Sequence, residues 1–134
     1  MSGLRIERLV YVSRSLIAPY SADLLDIVRA SQRNNPRLDL TGALYFDAAS
    51  FLQVLEGPGE ALDLLWGRLL GDDRHIAVRL LDRGPADRRR FAEWRMKMVD
   101  GPLLGRDRAG FDWEAAARAD RDGLARLIDT LVGA

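Results

Sequence analysis

A chain of 134 residues with 48% hydrophobic and 30% charged side chains has the length and balance of one globular domain. Lys+Arg and Asp+Glu each number 20, so the net charge is zero, which argues against a dedicated nucleic-acid binder with its basic excess. With no cysteine and one histidine, disulfides and thiolate chemistry are excluded and a zinc site would have to rest on carboxylates. The opening MSGLRIERLVYV carries charges inside its only apolar run, unlike a signal peptide, and no apolar run approaches the roughly 20 residues of a membrane span. A cytoplasmic location is expected.

Leu4 to Ser13 reads as a first strand, β-branched and apolar towards its end. Ser21 can cap a helix running to about Asn34, with Leu24, Ile27, Val28 and Ser31 at helical spacing and Pro36 expected to push Asn35 out of it. Thr41 to Asp47 and Ser50 to Glu56 are two strands separated by a short turn and should pair as a hairpin. Pro58 opens a second helix with the stripe Ala61, Leu62, Leu65, Trp66 and Leu69, ended by Gly71. Ala77 to Asp82 predicts a fourth strand and the alternating Trp94 to Val99 a fifth.

The order β-α-β-β-α-β with an added strand is the ferredoxin-like α+β plan, one sheet carrying both helices on one face. Gly101-Pro102 breaks the chain, dividing a domain of residues 1–100 from a helical extension of residues 101–134. The extension carries a candidate helical turn from Trp113 and a clear apolar stripe at Leu124, Leu127, Ile128 and Leu131. That stripe has to cover something, either the open face of the sheet or a partner protein.

Neither GxGxxG nor GxxxxGK[ST] is present, and one histidine supports no Ser-His-Asp arrangement. What remains is a set of polar residues where a core should be. Gln53 stands inside FLQVLEG among Phe51, Leu52, Val54 and Leu55, and burying its amide unpartnered would cost about 1–3 kcal/mol. It alternates with Phe51 and Leu55, so the three share one side of the sheet. Tyr11 closes the first strand, Ser31 and Asn35 prolong the apolar stripe of the first helix, and Trp94 and Met96 are expected to share a face of the fifth strand. Together they suit a planar, partly polar molecule enclosed between helices and sheet, an amide offering donor and acceptor to a ring edge that carries both. Each also has a plainer reading. Tyr11 can be a core tyrosine, Ser31 can bond back to its own helix, Asn35 can end a helix, Arg74 and His75 can be loop residues, and Trp94 and Met96 can be core. Gln53 alone demands a partner.

The blocks RLVYVS, SQRNNPRLDLTGALYFD, FLQVLEGP, DDRHIAV and RRRFAEWRMKM resemble, in order and from about Arg8 to Met98, the signature blocks of BLUF domains, sensors of blue light using FAD. The resemblance implies a ferredoxin-like fold with the flavin ring between the two helices. It implies that Tyr11 is the photochemical electron and proton donor and Gln53 the glutamine whose hydrogen bonding rearranges after light. Asn35 and Arg74 would hold the polar rim of the flavin with His75 beside them, and Ser31, Leu44 and Phe51 match weaker pocket positions. Trp94 and Met96 match a pair thought to exchange places as the signal leaves for the C-terminal helices and a partner or second copy. Departures are confined to Asn34, where other members often carry histidine, and Arg68. FAD in place of FMN or riboflavin is likewise an implication of the resemblance.

Without the resemblance, a ferredoxin-like domain of this size also suits a small-ligand regulatory module or an acylphosphatase-like hydrolase. The hydrolase would recruit Arg74 and Asn35 around an anion. Neither alternative needs a chromophore.

Overall fold

The computed structural model describes residues 5–18, 20–47, 49–101 and 120–134. The expected Leu4 start of the first strand, Pro102 and the helical turn at Trp113 lie outside these residues. Five strands form one sheet in the order β4-β1-β3-β2-β5: β1 Glu7–Ser15, β2 Thr41–Phe46, β3 Ser50–Gly57, β4 His75–Pro85 and β5 Lys97–Asp100. Three helices accompany them among the described residues, α1 Ala22–Leu38, α2 Gly59–Leu70 and α3 Arg121–Gly133. β1 pairs antiparallel with β3 and β4, β2 pairs antiparallel with β3, and β5 runs parallel to β2 at the far edge. This is the ferredoxin-like α+β arrangement with a fifth strand.

Period-two alternation sorts the sheet's side chains into two cores. Leu9, Tyr11, Leu44, Phe51 and Leu55 face the side holding Leu24 of α1 and Ala61 and Leu62 of α2. Val10, Val12, Ala43, Tyr45, Leu52, Val54 and Val99 face the other side, where Leu127, Ile128 and Leu131 of α3 pack with Phe91. The apolar stripe of the C-terminal segment thus lies on the sheet's second face.

β1 spans Glu7–Ser15 where the sequence predicts Leu4 to Ser13, β2 and β3 end within one residue of expectation, and three elements differ more. α1 does not stop at Asn34 but runs through Pro36 to Leu38. Pro36 stands in the last turn, where one lost N–H bond is cheap. Asp39 closes the helix in the left-handed conformation (φ 55°), its N–H returning to the carbonyls of Asn35 and Pro36. β4 is longer than Ala77 to Asp82, because it pairs along the whole of β1 as a solvent-facing edge whose charged residues hide the strand pattern. β5 is shorter than Trp94 to Val99. The Trp94 N–H bonds Phe91 O in a turn (2.9 Å), and the ladder to β2 begins only at Lys97 opposite Ala43.

Candidate functional site

Register places the site. Tyr11 on β1 lies directly opposite Gln53 on β3, which lies opposite Leu44 on β2, with Met98 of β5 next in the row. One row across the middle of the sheet therefore presents a phenol and a carboxamide side by side towards the helices. Above it is a cavity of about 180 Å³. Ile27, Ala30 and Ser31 of α1 form one wall and Leu65, Arg68 and Leu69 of α2 the other, with Leu44 and Phe51 on the sheet and Asp72, Arg74 and His75 after α2 completing it.

The floor is a hydrogen-bonded chain. The Tyr11 hydroxyl, 3% exposed, donates to Gln53 Oε1 at 2.5 Å. Gln53 Nε2 donates in turn to Met96 Sδ at 3.6 Å. A thioether is a weak acceptor, and the amide nitrogen carries two hydrogens. Gln53 is thus anchored through its oxygen and holds donor capacity in reserve. Burial pushes the Tyr11 hydroxyl well above its ordinary pKa, and the charge of Asp72 adds to the effect. The Trp66 ring meets Tyr11 edge-on at 5.8 Å and the His75 ring does so at 6.0 Å, so the phenol has aromatic neighbours from α2 and β4.

The remaining expected residues fall into two groups. Ser31, Leu44, Phe51, Arg74 and His75 line the cavity with Tyr11 and Gln53. Ser31 nevertheless bonds back to Ile27 O within α1 (3.0 Å), so its hydroxyl is engaged by its own helix. His75 is buried and held at both nitrogens. Nε2–H donates to Leu69 O (2.7 Å), and Nδ1 meets the Ser13 hydroxyl at 2.8 Å. Arg74 grips Asp72 through Nε (2.8 Å) and a terminal nitrogen (2.6 Å), and this pairing holds the Asp72 carboxyl below its usual range.

Asn35, Met96 and Trp94 do not line the cavity. Asn35, 2% exposed, donates from Nδ2 to Arg95 O at 2.6 Å, bracing the segment that carries Met96. Met96 is buried against Gln53 from just before β5. Trp94 does not share its face. It precedes the ladder, stands 46% exposed, and gives its carbonyl to the Gly42 N–H (3.1 Å). A Cβ at Gly42 would collide with the Val54 carbonyl, so only glycine lets β2 pass this close. Periodicity put Trp94 on the strand because the turn at Phe91–Trp94 carries no glycine or proline to announce it.

Sequence reasoning missed Asp72, Ala30 and the cavity-facing role of Leu65 and Leu69, which read as ordinary core. Asp72 gives no periodic signal; only its spacing of two from Arg74 could have marked it. The hydrolase reading finds no support in this geometry, since Asn35 and Arg74 do not converge on one point and the Arg74 charge is taken by Asp72. The chemistry the cavity offers is recognition of a flat, largely apolar molecule with a polar edge towards Gln53.

The family model "BLUF: Sensors of blue-light using FAD" matches residues 6–97. The chain belongs to this BLUF family. Among solved structures, "BlrB - a BLUF protein, dark state structure" superposes with a TM-score of 0.81 at 31% identity, covering 97% of either chain. Among curated proteins, the "Photoactivated adenylate cyclase subunit alpha-like protein FB" of Euglena gracilis is 32% identical over 95 residues, covering 69% of this chain. The "Blue light- and temperature-regulated antirepressor BluF" of Escherichia coli (strain K12) is 37% identical over 84 residues, covering 61% of it. The chain spans 9% of the Euglena protein and 20% of the E. coli one. No helix among the described residues is long and apolar enough to cross a membrane.

The cavity fits the flavin of the family description. Its two walls are mostly aliphatic, and Gln53 at the floor has an amide hydrogen unspent on any strong acceptor.

Proposed function

We propose that this chain is a blue-light sensor whose chromophore is FAD, held without a covalent bond in the cavity between α1, α2 and the sheet. The observation that carries the reading is the Tyr11–Gln53–Met96 chain on the cavity floor. Ile27, Leu65, Leu69, Leu44 and Phe51 would pack on the ring's flat faces, Gln53 would meet its polar edge, and Arg68 would supply positive charge for a phosphate-bearing tail. When bound, the flavin supplies absorption of blue light and an excited state that takes up an electron.

Tyr11 is the chain's donor of that electron. The hydroxyl is protonated at neutral pH, and losing an electron makes the phenol abruptly acidic, so its proton moves along the 2.5 Å bond towards Gln53. Gln53 is the group that changes. Its oxygen takes the proton, and when electron and proton return to Tyr11 the amide is left rotated or tautomerised. Either outcome alters what faces Met96, because the Nε2–Sδ contact uses the donor end of the same amide. Dark and lit forms are then two populations of one hydrogen-bond network. We place the protein in the cytoplasm and its output in a protein partner or a second copy of the chain, with no part for nucleic acid or membrane.

The test is spectroscopic. Purified protein loaded with FAD should be yellow and show a small, reversible red shift under blue light. Tyr11→Phe should keep the flavin and lose the shift. A preparation that refuses flavin would end the reading, and a normal shift in Tyr11→Phe would remove Tyr11 from its role.

A further inference from the structure

Lys97 is 8% exposed, and among the described residues it has no carboxylate partner. Its ammonium donates to Val132 O at 2.8 Å and lies 5.4 Å from the centre of the Trp94 ring. Val132 is in the last turn of α3, where carbonyls lack helical donors and the dipole favours a cation. The other contact is a cation resting on an indole face. Burying an ammonium without a counter-ion is costly, and an apolar residue of similar size is often neutral or better at such a place. Stability alone gives no reason for a lysine here.

Its position gives one. Met96 and Lys97 are consecutive and point to opposite sides of the sheet, Met96 into the core beneath the cavity and Lys97 towards α3. We propose that Lys97 is a positioning residue that fixes the last turn of α3 to residues 94–97 and releases it when Gln53 lets go of Met96. The proposal rests on the light-sensing reading above. Besides the Trp94 N–H on Phe91 O and the Arg95 guanidinium on Leu40 O (3.3 Å), four tethers hold the segment: Gly42 N–H on Trp94 O, Asn35 on Arg95 O, Gln53 on Met96 Sδ, and Lys97 on Val132 O. The first two bind backbone to groups outside the photochemical pair. Only the third ends on the amide that light rearranges, so its loss lets the peptide between Met96 and Lys97 turn. Such a turn moves the ammonium away from Val132 O and from the Trp94 ring together, and the end of α3 loses its cation.

Hydrogen exchange on the full chain with FAD bound, in darkness and under blue light, tests this. In the wild type, amides of residues 128–134 should exchange several-fold faster in the light. Lys97→Met should show a flavin red shift of wild-type size and equal exchange in light and dark, and Lys97→Arg, which keeps a cation, should recover part of the difference. Trp94→Leu, which leaves Lys97 in place but removes the ring, should reduce the difference and keep the red shift. A full light–dark difference in Lys97→Met or Trp94→Leu would overturn the proposal, as would a wild type that red-shifts with no change in α3. A wild type with no red shift at all would instead sink the light-sensing reading, and this inference with it.

Discussion

Two buried polar side chains on the same strand, three residues apart and facing opposite sides of the sheet, have opposite circumstances. Glu56, fully buried towards the α3 side, accepts from Arg90 N (2.6 Å), Phe91 N (2.9 Å) and Thr41 Oγ1 (3.2 Å), with Arg8 at 3.5 Å. Every lone pair has work, and the loop after β4 is nailed to the sheet. Gln53, towards the cavity, has one strong bond to Tyr11 and one weak contact to Met96. Saturation makes a fixed joint, and slack beside a cavity makes a switch. The same contrast extends to the two faces. The α3 face buries Glu56, Thr41 and Lys97, each held by a partner within an apolar layer, while the α1–α2 face buries Tyr11, Ser13, Gln53 and His75 around open space.

The contrast predicts a gradient of effects. Glu56→Ala, which strands several buried donors, should cost about 3–5 kcal/mol in chemical denaturation. Leu131→Ala, at a fully buried position on the sheet-facing side of α3, should cost about 2–5 kcal/mol. In both variants, any molecules that still fold should keep a normal flavin red shift. A lost shift at wild-type stability would mean the two faces are not separate in function.

A smaller effect concerns pH. The raised Tyr11 pKa means the unfolded chain ionises first, at the ordinary value of 10.0, while the folded chain does not. The contribution to stability is therefore complete below about pH 10 and is lost as pH rises beyond it. The melting temperature should fall between about pH 9 and about pH 11, less steeply in Tyr11→Phe than in the wild type. Equal slopes would show that Tyr11 ionises as a solvated phenol does. The smallest effect is expected for the flavin-free stability of Gln53→Leu, within about 1 kcal/mol of wild type, because an apolar replacement leaves only the Tyr11 hydroxyl to find water in the cavity.

The sequence made the sheet and its two helical neighbours legible, because the apolar runs of β1, β2 and β3, buried on both faces, and the stripes of α1 and α2 are strong signals. Gln53 was legible as an anomaly, since an amide inside a strand needs a partner, but periodicity could not name that partner. Tyr11 and Met96 come from a cross-strand register and a chain reversal far along the sequence. The places where the reading slipped share a cause. The charged edge of β4 and the turn before Met96 are settled by tertiary bonds, from β1 and from Gly42, while Pro36 is carried inside α1 by the left-handed cap at Asp39, and no helix-ending glycine or apolar pattern marks these places. Asn35 was singled out for the cavity, and the structure uses it to brace Arg95 instead.

The most direct measurement is the light-minus-dark absorption spectrum of Gln53→Leu beside wild type, both loaded with FAD to the same occupancy. The account predicts a reversible red shift in the wild type and a bound, unshifted flavin in Gln53→Leu. A variant that shifts as the wild type does would contradict the claim that this one loosely held amide is the switch.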